Sequence, residues 1–200
     1  GTYAQSERGR LSRRAFSRSH PPSDVEFETL GDATGGPPLR LDWQRFSYAG
    51  KFVMTNAGKG VFRAGEPGDG EFDESVVAAV AFNEDRTGDR TVWLRYVTVR
   101  QDRRGEGLGA RLCERVSDEL LDSYDRVKIA VNNPFAYEAL YKAGFGFTGE
   151  TTGIAELVLE RPHDTDATAY RAGLARYRER DLSGAERSFL DGRSEPPDER

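Results

Sequence analysis

The chain has 200 residues, 36% of them hydrophobic and 32% charged, with a formal net charge of −5 at pH 7. That length suits one domain with extensions. No apolar run approaches the ~20 residues of a membrane span, and the acidic balance argues against nucleic-acid binding by bulk electrostatics.

One cysteine, Cys113, excludes an internal disulfide, and two histidines at the edges of the patterned region, His20 and His163, speak against zinc binding and histidine catalysis. No hydrophobic signal core opens the sequence, so a cytoplasmic enzyme is the expectation. Residues 1–24 are rich in Arg and Ser without apolar spacing and read as a basic disordered tail. A basic arm for nucleic acid or an acidic partner is the alternative.

A first strand is predicted over 25–30 and a loop over 31–38. Trp43, Phe46, Gly50, Val53, Met54 and Ala57 fall at helical spacing with Gly58 as C-cap, and a strand over 51–55 competes. A short strand opens at Val61. A Gly- and acid-rich connection fills 64–73, an apolar strand 76–82 and a turn 83–90. In the next strand Val92, Leu94, Tyr96 and Thr98 alternate with Trp93, Arg95, Val97 and Val99. A charged turn follows, then Gly105, Gly107 and Gly109. From Leu108 the apolar residues Leu112, Val116 and Leu120 recur every four positions, as on an amphipathic helix.

A strand over 127–131 precedes a helix over 134–143, with Asn133 as N-cap, Pro134 in the first turn and Gly144 at the end. Two last strands are predicted over 145–148 and 154–160. Residues 162–193 form an added helical hairpin with Ala167, Tyr170, Leu174 and Tyr177 on one face. It weakly resembles a single tetratricopeptide hairpin, which cannot bury its own apolar face. It is therefore expected against the domain's own sheet or a second copy of the chain. Residues 194–200 are expected to be disordered. The order over 25–161 is β-α-β-β-β-α-β-α-β-β, an α/β fold with a mixed sheet.

A strand, a glycine loop and a helix N-terminus make an anion site. The first N–H groups of the helix lack intrahelical partners, the helix dipole favours negative charge there, and glycines let a ligand approach the backbone. Gly105-x-Gly107-x-x-Ala110 formally fits the dinucleotide fingerprint, but the next strand ends in Asn132 and Asn133, where that fingerprint wants an acid. Arg104-x-x-Gly107-x-Gly109 instead resembles the acyl-CoA signature of the GNAT N-acetyltransferase family. The run from Asn133 through Tyr141 to Gly144-Phe145 resembles that family's second signature.

The resemblance implies a GNAT acyl-CoA N-acyltransferase fold over 25–161 and transfer of acetyl from acetyl-CoA, without a metal, to a small-molecule or peptide amine. A second copy of the chain is a candidate partner; membrane and nucleic acid are not expected. It further implies that Arg103, Arg104, Gly105, Glu106, Gly107, Leu108 and Gly109 hold the pyrophosphate, and that the pantetheine arm runs along Val97, Thr98 and Val99 where that strand splays from the next. A backbone N–H near Val97 would meet the oxyanion, Asn133 would flank the cofactor, and Tyr141 would protonate the leaving thiolate.

Three departures qualify this. The family's tyrosine falls seven residues after the asparagine, where this chain has Leu140. The strand over 91–100 has no carboxylate, which leaves Glu156, Glu138 and Glu28 as bases. Only one helix fits between the first two strands, where the family usually has two, so acceptor specificity does not carry over. A non-catalytic CoA-binding or partner-binding module of the same fold is the alternative function.

Overall fold

The computed structural model describes residues 21–22, 24–88, 90–163 and 166–199, so the expected basic tail lies almost wholly outside them. The strands are β1 (Glu26–Leu30), β2 (Gly58–Arg63), β3 (Val76–Glu84), β4 (Thr91–Val99), β5 (Arg126–Val131), β6 (Gly146–Thr151) and β7 (Leu157–Arg161). The helices are α1 (Ala49–Met54), α2 (Leu108–Leu120), α3 (Pro134–Lys142), α4 (Ala167–Arg178) and α5 (Gly184–Leu190), with a 3-10 turn at Gln101–Arg103. One seven-stranded sheet runs in the order β1-β2-β3-β4-β5-β7-β6.

Every neighbouring pair in the sheet is antiparallel except β4 and β5. A parallel neighbour needs a crossover, and α2 supplies it. β3 reads as a near-continuous apolar run because both its faces are covered, and its first seven residues are all buried. On one face Leu108, Leu112, Val116 and Leu120 of α2 enter a core shared with α3 and α4. A Cβ on Gly60 would lie 2.4 Å from Val116 Cγ2, so that glycine lets α2 lie directly on β2. On the other face Leu39, Leu41, Phe46 and Phe52 cover Val61, Val76 and Ala79.

The helical spacing over 43–57 yields only α1. Phe46, Ala49 and Phe52 are buried, whereas Trp43 and Met54 are 70% and 83% exposed. The competing strand over 51–55 does not form. Gly58 is no C-cap; it opens β2, where a Cβ would meet Asp32 O at 2.2 Å. Ile154, expected in the last strand, sits instead in the turn before β7. Tyr170, Leu174, Tyr177 and Leu190 of the C-terminal hairpin enter the domain's own core. No helix among the described residues is long and apolar enough to cross a membrane.

Candidate functional site

β4 pairs with β3 along nearly its whole length, but with β5 only from Thr91 to Leu94. A bulge at Arg95 separates the pairs Ala81↔Tyr96 and Phe82↔Leu94. Beyond it β4 and β5 diverge, and β5 completes its pairing with β7 on its other side. The gap opens into a cavity of about 530 Å³ lined by Arg95, Tyr96 and Val97 of β4, Ala130 and Val131 at the end of β5 with Asn132 and Asn133 beyond it, Gly109, Ala110 and Cys113 of α2, and Leu140 of α3. Tyr48 and, from the β6–β7 turn, Ile154 and Glu156 complete the wall.

The glycine loop sits at the rim of this gap. Gly105 and Gly107 have φ values of 85° and 77°, a left-handed conformation that disfavours other residues. A Cβ on Gly105 would meet nothing within 4 Å, so its requirement is conformational and the space beside it is open. Gly107 caps α2 without a side-chain acceptor. The first helical bond is Arg111 N–H to Gly107 O at 3.1 Å, which leaves the N–H groups of Leu108, Gly109 and Ala110 ahead of the helical ladder. A Cβ on Gly109 would be in ordinary contact with Val97 and Val99 at 3.5 and 3.4 Å, so α2 starts tight against β4.

Charge at the loop is already partly committed. Arg103 donates to Glu106 at 2.9 Å and to Asp24 at 2.7 Å. Arg104 donates to Ser47 Oγ at 3.0 Å and to Val99 O at 3.4 Å, tying the loop to the segment before α1. Val97 lines the cavity, while Thr98 faces the other side of the sheet; it is buried, and its hydroxyl has no hydrogen-bond partner among the described residues. Asn133 caps α3 by accepting from Ala136 N at 2.8 Å, and it also lines the cavity.

Tyr141 lies apart from these groups. It is fully buried, its hydroxyl accepts from Phe147 N at 2.9 Å, and its ring packs on Tyr137 and Tyr170 at 4.9 Å each. Burial raises its pKa. Leu140, about 100° away around the helix, takes the cavity face. Of the three carboxylates weighed as bases, Glu156 lines the cavity, Glu138 accepts from Tyr170 Oη, and Glu28 accepts from Arg63 at 2.6 Å on β1. Sequence patterns gave no signal for Tyr48, which has a φ of 59° and borders the cavity, or for Ile154. Both are loop residues placed by tertiary contacts.

The acetyltransferase (GNAT) family model matches residues 40–147. Among solved structures, the chain is similar to an acetyltransferase from Thermus thermophilus, with 20% identity and a TM-score of 0.42 over 52% of this chain and 63% of that one. It is similar to an N-acetyltransferase from Staphylococcus aureus, with 19% identity and a TM-score of 0.41 over 52% and 66%. It thus spans less than two thirds of the length of either. Nourseothricin acetyltransferase is similar at 14% identity and a TM-score of 0.44, over 69% of this chain and 98% of that one. No curated protein matches the chain.

Proposed function

The chain belongs to the GNAT family of acetyltransferases, whose model covers just over half of it, and from that premise we propose that it transfers the acetyl group of acetyl-CoA to an amine. The observation that carries the proposal is the splay of β4 from β5 beside the glycine loop. The open space at Gly105 and the uncommitted first N–H groups of α2 fit a pyrophosphate. The unpaired length of β4 fits an extended pantetheine arm along Val97 to Val99.

In the reaction the amine nitrogen attacks the thioester carbonyl, the C–S bond breaks, and the amine loses a proton while the thiolate gains one. The Val97 N–H is our candidate donor to the oxyanion. Glu156 is our candidate acceptor of the amine proton, directly or through water. Burial of Tyr141 behind Leu140 favours a packing role for that tyrosine, with water as the proton source for the thiolate. The same observation supports a second reading, a module that binds CoA without turning it over.

Thermal shift tests the shared step. Acetyl-CoA and CoA should each raise Tm by mass action, NADH should not, and Gly107→Asp should remove the CoA effect by straining the cap and adding negative charge at the anion site. A shift with NADH alone overturns the reading. Thiol release from acetyl-CoA with spermine, a lysine peptide and a tripeptide with a free N-terminus then separates enzyme from module.

A further inference from the structure

The C-terminal hairpin reaches the cavity wall as well as the core. Tyr177, fully buried near the end of α4, donates its hydroxyl to Val131 O at 3.2 Å. Arg180, just past α4, donates Nη1 to Asn132 O at 3.3 Å and Nη2 to Ala155 O. Its guanidinium lies 5.0 Å from the centre of the Tyr177 ring. The ladder between β5 and β7 ends at Val131↔Leu157. Past that pair the two chain segments part, and Arg180 ties their carbonyls together. Both segments line the cavity, one through Asn132 and the other through Ile154 and Glu156.

Within the turn itself three hydrogen bonds are seen among the described residues. Thr152 N donates to Glu156 O at 2.9 Å, Ala155 N to Thr152 O at 2.9 Å, and Glu156 N to Thr152 Oγ1 at 3.1 Å. Ala155 has φ of 63°, a conformation that side chains disfavour and that surrounding contacts must maintain. Arg180 takes the carbonyl of that residue, immediately before Glu156, the one carboxylate of the cavity wall among the described residues. A guanidinium holds its N–H donors in a rigid planar fork, so less side-chain freedom is lost per hydrogen bond than with a flexible ammonium.

We propose that the C-terminal hairpin braces the cavity, with Arg180 as a positioning residue that fixes the 152–156 turn and so the place of Glu156. The tie is read from geometry alone; its consequence for the amine acceptor rests on the acetyltransferase reading.

The test uses the full chain with Arg180→Ala and Arg180→Lys, followed by hydrogen exchange at the Thr152, Ala155 and Glu156 amides. Exchange there should speed up by about tenfold or more in Arg180→Ala, the scale of a lost charge-assisted hydrogen bond. Arg180→Lys should fall between, and the Tm shift with acetyl-CoA should persist. With whichever of the three amines the wild type turns over, kcat should fall more than KM rises, because Glu156 is the candidate acceptor of the amine proton.

Unchanged exchange at 152–156 in Arg180→Ala overturns the proposal. So does an equal rise throughout α3 and α4, which would mean general loosening of the hairpin. Should the wild type neither bind acetyl-CoA nor acetylate an amine, the functional reading fails while the exchange data still decide the tie.

Discussion

Replacing Tyr141 by Phe removes one oxygen and separates two roles. The ring should stay in place, because it is fully buried and packs on Tyr137 and Tyr170 at 4.9 Å each. What is lost is the acceptor for Phe147 N, at 2.9 Å, and a longer contact with Tyr137 Oη at 3.5 Å. Leaving a buried N–H without a partner costs about 1–3 kcal/mol, which for a chain of this length lowers Tm by about 2–12 °C. Turnover measured well below Tm, as thiol release from acetyl-CoA with a competent amine, should stay within about twofold of wild type, since the hydroxyl faces β6 and not the cavity. A general acid would instead lose roughly 10²-fold or more. A loss of that size with unchanged Tm would refute the packing assignment. It would also mean that α3 turns in the complex to bring the hydroxyl past Leu140.

Two further outcomes follow from buried groups. A Cβ on Gly173 would lie 2.1 Å from Tyr137 Oη, whose ring is fully buried and whose hydroxyl donates to Tyr170 O at 2.9 Å, so it cannot swing aside. Gly173→Ala should therefore lower Tm, because overpacking at about 1–3 kcal/mol outweighs the roughly 1 kcal/mol helical gain of Ala over Gly; a thermally stabilised variant would refute this. Cys113 borders the cavity but is buried, and its thiol is pushed up to about 12 by that burial, so a thiol reagent at pH 8 should label the native protein far more slowly than the denatured one. Rapid stoichiometric labelling of the native protein would contradict that placement.

The legible parts of this chain are those where one local rule decides. The four-residue recurrence from Leu108 to Leu120 gave α2, and the Asn133-Pro134 pair gave the start of α3, because side-chain period and cap chemistry act within a few residues. The interval 39–57 was not legible. Its buried apolar residues, Leu39, Leu41, Phe46, Ala49, Phe52 and Ala57, come from irregular segments and a short helix, so no single period describes them. Trp43 and Met54 fell on the expected helical face by coincidence and are exposed. Nor does sequence expose Lys59, buried in β2 with its ammonium on the carbonyls of Pro37, Thr55 and Ala57 at 2.7, 3.1 and 2.7 Å. At the site the glycine loop could be read, whereas Tyr48, Ile154 and the outward turn of Leu140 depend on how distant elements meet.

The site exists because β4 has one partner too few. Along β3 its pairing runs from Val92 to Val99, but the bulge at Arg95 adds a residue, and the strand departs from β5 after Leu94. The bulge also resets which side chains face the core: Leu94 and Val97, three apart, both border the α2 side. In a strand, successive main-chain groups point alternately to opposite neighbours, so part of the N–H and C=O groups between Arg95 and Val99 face the gap with no strand opposite. An unpaired edge inside a sheet is ordinarily a liability. Here Gly109 brings α2 against Val97 and Val99 at one side of the gap, and Arg180 fastens the β5 end to the β6–β7 turn at the other. Both walls are therefore fixed by contacts that do not cross the opening. That arrangement suits an extended ligand that supplies the missing strand, and in the proposed brace the C-terminal hairpin belongs to one of the walls.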